Sequence, residues 1–226
     1  PLSEVIGWAD VPGDNGISGT MVETTTGGTG GEGVSIQSLS ELESALKALR
    51  TRHKKQDDKT PVVYKLSGSY SGSGKINVES VSNVSIIGSK GTKITGAGFN
   101  IKRSYNIIIK NITFQDVKGD GINIDYQESH HIWVDHCNFS DVDINAAPDN
   151  KIASSDKGHD GHLDIKNQSS YVTVSFCRFE HHKKTMLIGH SAKHSEDKGH
   201  LKVTVHHCWF GYTYSRNSRN RYGMVH

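Results

Sequence analysis

Long apolar runs are missing from this 226-residue chain. The longest, such as Ile107 to Ile109, fall far short of the roughly 20 residues that a membrane-spanning helix needs. An excess of one sign of charge is missing too. With 26 Lys plus Arg against 24 Asp plus Glu, no global field draws the chain to nucleic acid or an anionic membrane, so any site for a polyanion must be local. Cysteine is scarce. Cys137, Cys177 and Cys208, spaced 40 and 31 positions apart, form neither a metal-type pair nor a disulfide framework. The 14 His contain no HExxH and no regular ligand spacing, so no zinc site is expected. Neighbours such as His206 and His207 on a strand are expected to face opposite sides, and so are His181 and His182. The chain opens at Pro1 without a charged-then-apolar leader, as a mature secreted protein or a trimmed product would.

Helical periodicity is nearly absent as well. The exception is SLSELESALKALR, where Ser40 and Glu43 have capping-box spacing ahead of Leu42, Ala45, Leu46 and Leu49, predicting one amphipathic helix over 41–50. The stretch TTTGGTGGEG before it reads either as a flexible linker or as a tight packed loop, and RHKKQDDK after it as a charged surface turn.

What the sequence does have is a repeat. NVSIIGSKG, NIIIKNITF, HIWVDHCNF, YVTVSFCRF and KVTVHHCWF, starting at Asn83, Asn106, His131, Tyr171 and Lys202, align without gaps, with Val or Ile at the second and fourth positions. Alternation buries one face of each segment, and the spacing suits coils of a solenoid; hairpins need shorter returns and βαβ units need intervening helices. The sequence therefore predicts one all-β domain over 1–226, a parallel β-helix with parallel strands at 83–87, 106–110, 131–135, 171–175 and 202–206. Equivalent residues then stack: Ile112, Cys137, Cys177 and Cys208 at the seventh position, and Phe114, Phe139, Phe179 and Phe210 as an aromatic ladder at the ninth. The cysteines are expected as buried thiols, although about 5 Å between coils leaves one disulfide sterically open.

The longer intervals carry insertions, which solenoids project from one face. The first, DVDINAAPDNKIASSDKGHDGHLDIKNQSS, ends in Asp160 and Asp164, too far apart on a straight strand to share an ion, with Gly161 placed to bend the chain. Asp135, outward-facing in the third repeat, could complete an oxygen-only site suited to Ca²⁺; the alternative is scattered solvated carboxylates. A basic group follows the fourth and fifth repeats: Lys183, Lys184, Arg216, Arg219 and Arg221. On neighbouring coils these side chains suit an anionic polymer, since a guanidinium pairs bidentately with a carboxylate; an exposed basic turn is the other reading.

Taken in order, GWADVPG, TTGGTGGEGVSIQSLSELESAL, WVDHCNFS, HDGHLDIKNQSS, KTMLIGHS and RNSRNRYGMVH resemble the pectate lyase family of polysaccharide lyases over nearly the whole chain. The resemblance implies a right-handed parallel β-helix with an N-terminal capping helix, secreted and monomeric. It implies calcium-dependent β-elimination in de-esterified homogalacturonan, giving 4,5-unsaturated ends. By motif, Asp135, Asp160 and Asp164 correspond to calcium ligands, Lys184 and Arg221 to substrate-binding residues, Arg216 to the catalytic base and Arg219 to a structural arginine. Guanidinium normally stays protonated above about pH 12, so the base rests on the resemblance. Ser218 stands where relatives often have Pro. Relatives also continue beyond the position of His226, so further coils, on this chain or a second one, are expected to close the helix. The rivals are a pectin lyase acting on methylated polymer without calcium, a β-helix that binds polysaccharide without cleaving it, and a glycoside hydrolase, which needs an acid and base carboxylate pair.

Overall fold

In the computed structural model, which describes residues 4–17, 20–142 and 158–226, the five repeats lie side by side in one parallel sheet. Strands Ser82–Gly88, Tyr105–Lys110, His130–Asp135, Ser170–Ser175 and Lys202–His206 pair in that order. Val84, Ile107, Ile132, Val172 and Val203 form one register row, and Ile86, Ile109, Val134, Val174 and Val205 another. Glu32–Ile36 and Val62–Leu66 extend this first sheet at one end and Met224–Val225 at the other.

The chain returns through two more parallel sheets joined by the long strand Lys93–Lys102. Its first residues pair with Thr113–Gln115 and its last with Ile122–Asp125. The second sheet continues through Asn138–Ser140, Arg178–Lys184 and Trp209–Ser215, and the third through Leu163–Ile165, Met186–Ile188 and Arg219–Asn220. Each coil thus contributes a strand to each sheet, which makes the fold a right-handed parallel β-helix with a single α-helix among the described residues.

The interior is a set of ladders. Phe114, Phe139, Phe179 and Phe210 are register partners, with ring centroids 5.2, 4.9 and 4.9 Å apart and nearly parallel planes. All three cysteines are free thiols, Cys137 and Cys177 buried and Cys208 partly so.

Where the chain leaves the last four repeat strands of the first sheet, the residue at the sixth repeat position is left-handed: Asn111, His136, Phe176 and His207 have φ between 50° and 59°. Such a conformation costs roughly 1–2 kcal/mol for a non-glycine residue, and stacking of His136, Phe176 and His207 at 4.9 and 4.7 Å offsets part of it. The same turn corrects one expectation. His206 and His207 do not face opposite sides; their Nδ1 atoms are 2.8 Å apart, because the left-handed residue breaks strand alternation.

The helix spans Leu39–Gln56, starting earlier and ending later than 41–50. Its cap is Ser38, whose Oγ accepts from Glu41 N–H at 3.1 Å, while Glu41 Oε2 accepts from Gln37 N–H at 2.7 Å. Ser40 and Glu43 therefore fall inside the first turns. Leu42, Leu46, Leu49 and His53 are buried, and His53, Lys54 and Lys55 belong to the last helical turn, where positive charge suits the helix dipole. The glycine-rich stretch before the helix is a packed loop. Thr26 and Gly27 N–H groups donate to Asn106 Oδ1 at 2.8 and 2.7 Å, and a Cβ on Gly28 would stand 2.0 Å from Val62 O.

Candidate active site

The outer face of the third sheet carries one continuous register row: Asn77, Asn100, Asn123, Asp164, Leu187 and Arg219. The asparagines form a ladder. Asn100 Nδ2 donates to Asn77 Oδ1 at 2.9 Å, and Asn123 Nδ2 to Asn100 Oδ1 at 2.8 Å. It ends at a break, since Asn123 Oδ1 and Asp164 Oδ1 are both buried without a hydrogen-bond partner. Burial, and then the charge of Asp120, push the Asp164 carboxyl up to about 7.

Two Asp-Gly pairs set the other acids. Asp120 Oδ1 accepts from Gly161 N–H at 3.1 Å and its Oδ2 from Lys75 at 2.9 Å. Asp160 N–H donates to Gly119 C=O at 3.0 Å, stitching the two segments together. The bend expected at Gly161 is there, and the Asp164 carboxylate folds over it: a Cβ on Gly161 would meet Asp164 Oδ1 at 2.2 Å. Asp120, Asp160 and Asp164 thereby form one acidic group.

Cations surround it. Lys184 Nζ lies 2.8 Å from Asp160 Oδ1, which holds the Asp160 carboxyl below its usual range, with a smaller contribution from Arg216. Lys184, not Lys183, is the lysine at the acids. Its register partner is Ser215, so Arg216 leaves the neighbouring coil beside it. Arg216 C=O accepts from Met186 N–H at 2.7 Å, and its charge acts on both Asp160 and Asp164. Arg219 is exposed on the Asp164 row, and the Arg221 N–H donates to Ile188 C=O at 2.8 Å.

A family model for pectate lyase matches residues 5–226. The chain belongs to the pectate lyase family. It is 34% identical over 232 aligned positions to a pectate trisaccharide-lyase of Thermotoga maritima, covering 98% of this chain and 55% of that protein. It is 39% identical over 209 positions to a probable pectate lyase B of Aspergillus terreus, covering 89% and 56%. The chain thus spans about half the length of the curated relatives it matches. A pectate lyase of Bacillus sp. N165, solved in complex with trigalacturonate, superposes with a TM-score of 0.80 at 27% identity, covering 99% of this chain and 66% of that one.

Set in this pectate lyase frame, one sequence expectation needs correction. Asp135 ends a strand of the first sheet, not the third, and is fully buried. Its Oδ2 is 2.7 Å from Lys110 and 2.8 Å from His136, and its Oδ1 accepts from Ser175 at 2.6 Å. These neighbours of its own sheet close it off from Asp160 and Asp164. The third member of the acidic group is Asp120. Its signal was present in the sequence as a second repeat: Asp120-Gly121 precedes INI as Asp160-Gly161 precedes HLDI. The carboxylate-dense stretch 143–157 lies outside the described residues.

Proposed function

We propose that this chain carries the catalytic face of a secreted, monomeric, calcium-dependent pectate lyase that cleaves de-esterified homogalacturonan by β-elimination. The observation that carries the reading is the acidic group of Asp120, Asp160 and Asp164 with Lys184 and Arg216 against it. Three carboxylates, one with a buried unpartnered oxygen, are the hard-oxygen donor set that Ca²⁺ prefers, and no sulfur or imidazole belongs to the set. Calcium held by Asp120, Asp160 and Asp164 would supply a Lewis acid that neutralises uronate carboxylates and acidifies the C5 proton beside them. Lys184 and Arg221 hold the uronate carboxylates and stabilise the charge that develops as C5–H is broken. Arg216, as the neutral guanidine, takes that proton and becomes guanidinium. The C5–H electrons become the C4=C5 double bond, the C4–O bond breaks, and the departing oxygen is protonated from solvent. Arg219, at the end of the Asp164 register row, keeps the structural role that the resemblance implies. A polymer substrate of this size is met outside the cell.

The test is the ultraviolet absorbance of the 4,5-unsaturated uronate when the purified protein acts on polygalacturonate. Absorbance should rise, stop on addition of chelator, return with Ca²⁺, and be lower on methylated pectin. New reducing ends without the absorbance would mean hydrolysis. Full activity in excess chelator would remove calcium from the reading.

A further inference from the structure

Beneath the Asp160 loop lies a second cluster, made of imidazoles. Asp141 follows strand Asn138–Ser140, His162 precedes strand Leu163–Ile165, and His182 lies within strand Arg178–Lys184. One ligand atom from each of the three lies within 4.8 Å of the others, and all three residues are buried. His182 Nε2 faces the Asp160 carbonyl, which can only accept, so Nε2 bears the proton. Its Nδ1 faces Asp141 Oδ2. A neutral imidazole would turn a lone pair on a carboxylate there, and either a second ring proton or a bound metal ion resolves that contact.

His162 makes the case independently. Both its ring nitrogens are buried without a hydrogen bond, and Nε2 is 3.4 Å from Asp141 Oδ1. Only 4% of the residue is exposed, so bulk solvent does not reach it. His159 approaches from the same loop. Its Nε2 is 2.7 Å from Asp116 Oδ1 and 3.1 Å from Lys118, and its buried Nδ1 has no hydrogen bond and lies 3.8 Å from Asp141 Oδ2. A carboxylate or carbonyl on the far nitrogen is how metal-binding histidines are oriented.

We propose that Asp141, His162 and His182 hold a divalent ion of the zinc class, with His159 as the fourth side chain. Nitrogen donors with one carboxylate select zinc, cobalt or nickel over calcium, so this site is distinct from the oxygen-only group above it. With all its ligands buried, the ion is structural. It ties the second sheet to the third and, through His182 Nε2–H, fixes the carbonyl of Asp160. Sequence spacing gives no hint of it because a long insertion separates Asp141 from His162 within one coil and His182 comes from the next.

Cobalt is the probe. Purified protein stripped of metal and supplied with excess Ca²⁺ should bind one equivalent of Co²⁺, with the intense visible bands of a four-coordinate site, and added Zn²⁺ should bleach them. His162→Leu, an apolar replacement beside Phe139 and Phe179, should weaken cobalt binding on the order of 100-fold, and Asp116→Asn about 10-fold. The stripped His162→Leu protein should melt no lower than stripped wild type; if it does not fold, the isosteric Asp141→Asn gives the same reading. Asp164→Asn should leave the cobalt bands in place. Absence of stoichiometric binding, bands that survive both His162→Leu and Asp141→Asn, or bands lost in Asp164→Asn would each overturn the proposal.

Discussion

Two aspartates illustrate how burial alone does not define a role. Asp135 is buried and closed by Lys110, His136 and Ser175, whereas Asp164 is buried with an oxygen left open. Removing one partner of a buried ion pair strands the other charge, so Asp135→Ala should lower stability by about 3 kcal/mol and leave calcium affinity unchanged. Asp164→Asn should do the reverse. Its amide extends the asparagine ladder onto Asn123 Oδ1, raising the melting temperature in chelator by the equivalent of about 1 kcal/mol, while calcium affinity falls. Calorimetric titration and thermal melts of both variants check this; equal loss of calcium affinity in the two would restore Asp135 to the metal site. Arg216→Lys should lower kcat about 100-fold or more with polygalacturonate binding largely retained, because lysine keeps the charge but not the position. Turnover at the normal rate with only KM raised would move the base elsewhere, Lys184 being next. Asp160, Asp164, Lys184 and Arg216 were all legible in the sequence as chemistry-bearing residues. Asp120 is marked only by its short Asp-Gly repeat, because its partners lie one coil away and the third-sheet strands beside it, three or four residues long, carry little periodicity.

At the scale of elements, the first sheet is legible because its strands have five to seven residues in each repeat and bury alternate side chains against the same ladder. The second and third sheets were invisible as separate layers, since the short strands between corners leave no pattern to count. The sequence predicts the helix but not its start, because two serines, Ser38 and Ser40, each precede a glutamate by three residues. Tertiary packing decides between them: only the earlier cap brings Leu39 into the first turn, against the inner coil. Ser38→Ala should cost about 1 kcal/mol and Ser40→Ala much less. Phe139, between Phe114 and Phe179, is the centre of its ladder, and Phe139→Ala should cost about 3–5 kcal/mol by opening a cavity the neighbouring coils cannot close. Urea midpoints for these variants rank the contributions. A Ser40→Ala cost equal to that of Ser38→Ala would mean that the cap is shared.

For the whole molecule, the near balance of charge sets how a polyanion is recognised. The formal net charge is only +2, yet Lys184 and Arg216 stand against the acids, with Arg219 and Arg221 following on the last coil. The attraction is therefore local. The helix, by contrast, packs at the other end of the stack, against Glu32–Ile36 and Ser69–Glu79, and Asp164 lies three coil steps along its row from Asn77, roughly 15 Å at the usual strand spacing. That exceeds a Debye length of about 10 Å at 0.1 M ionic strength. Reversing Lys54 and Lys55 together to Glu turns the net charge negative but acts from beyond the screening distance, so KM for polygalacturonate should change by less than about 2-fold near that ionic strength. The cost in stability should be modest, on the order of 1 kcal/mol, because exposed charges at a helix end interact weakly with its dipole. Lys184→Ala removes a single charge and should raise KM far more, and added salt should weaken wild type more than Lys184→Ala. If the double reversal at the helix instead raised KM as much as Lys184→Ala, the polymer would be responding to the field of the whole molecule, and the corner arginines would lose their claim to be the binding surface.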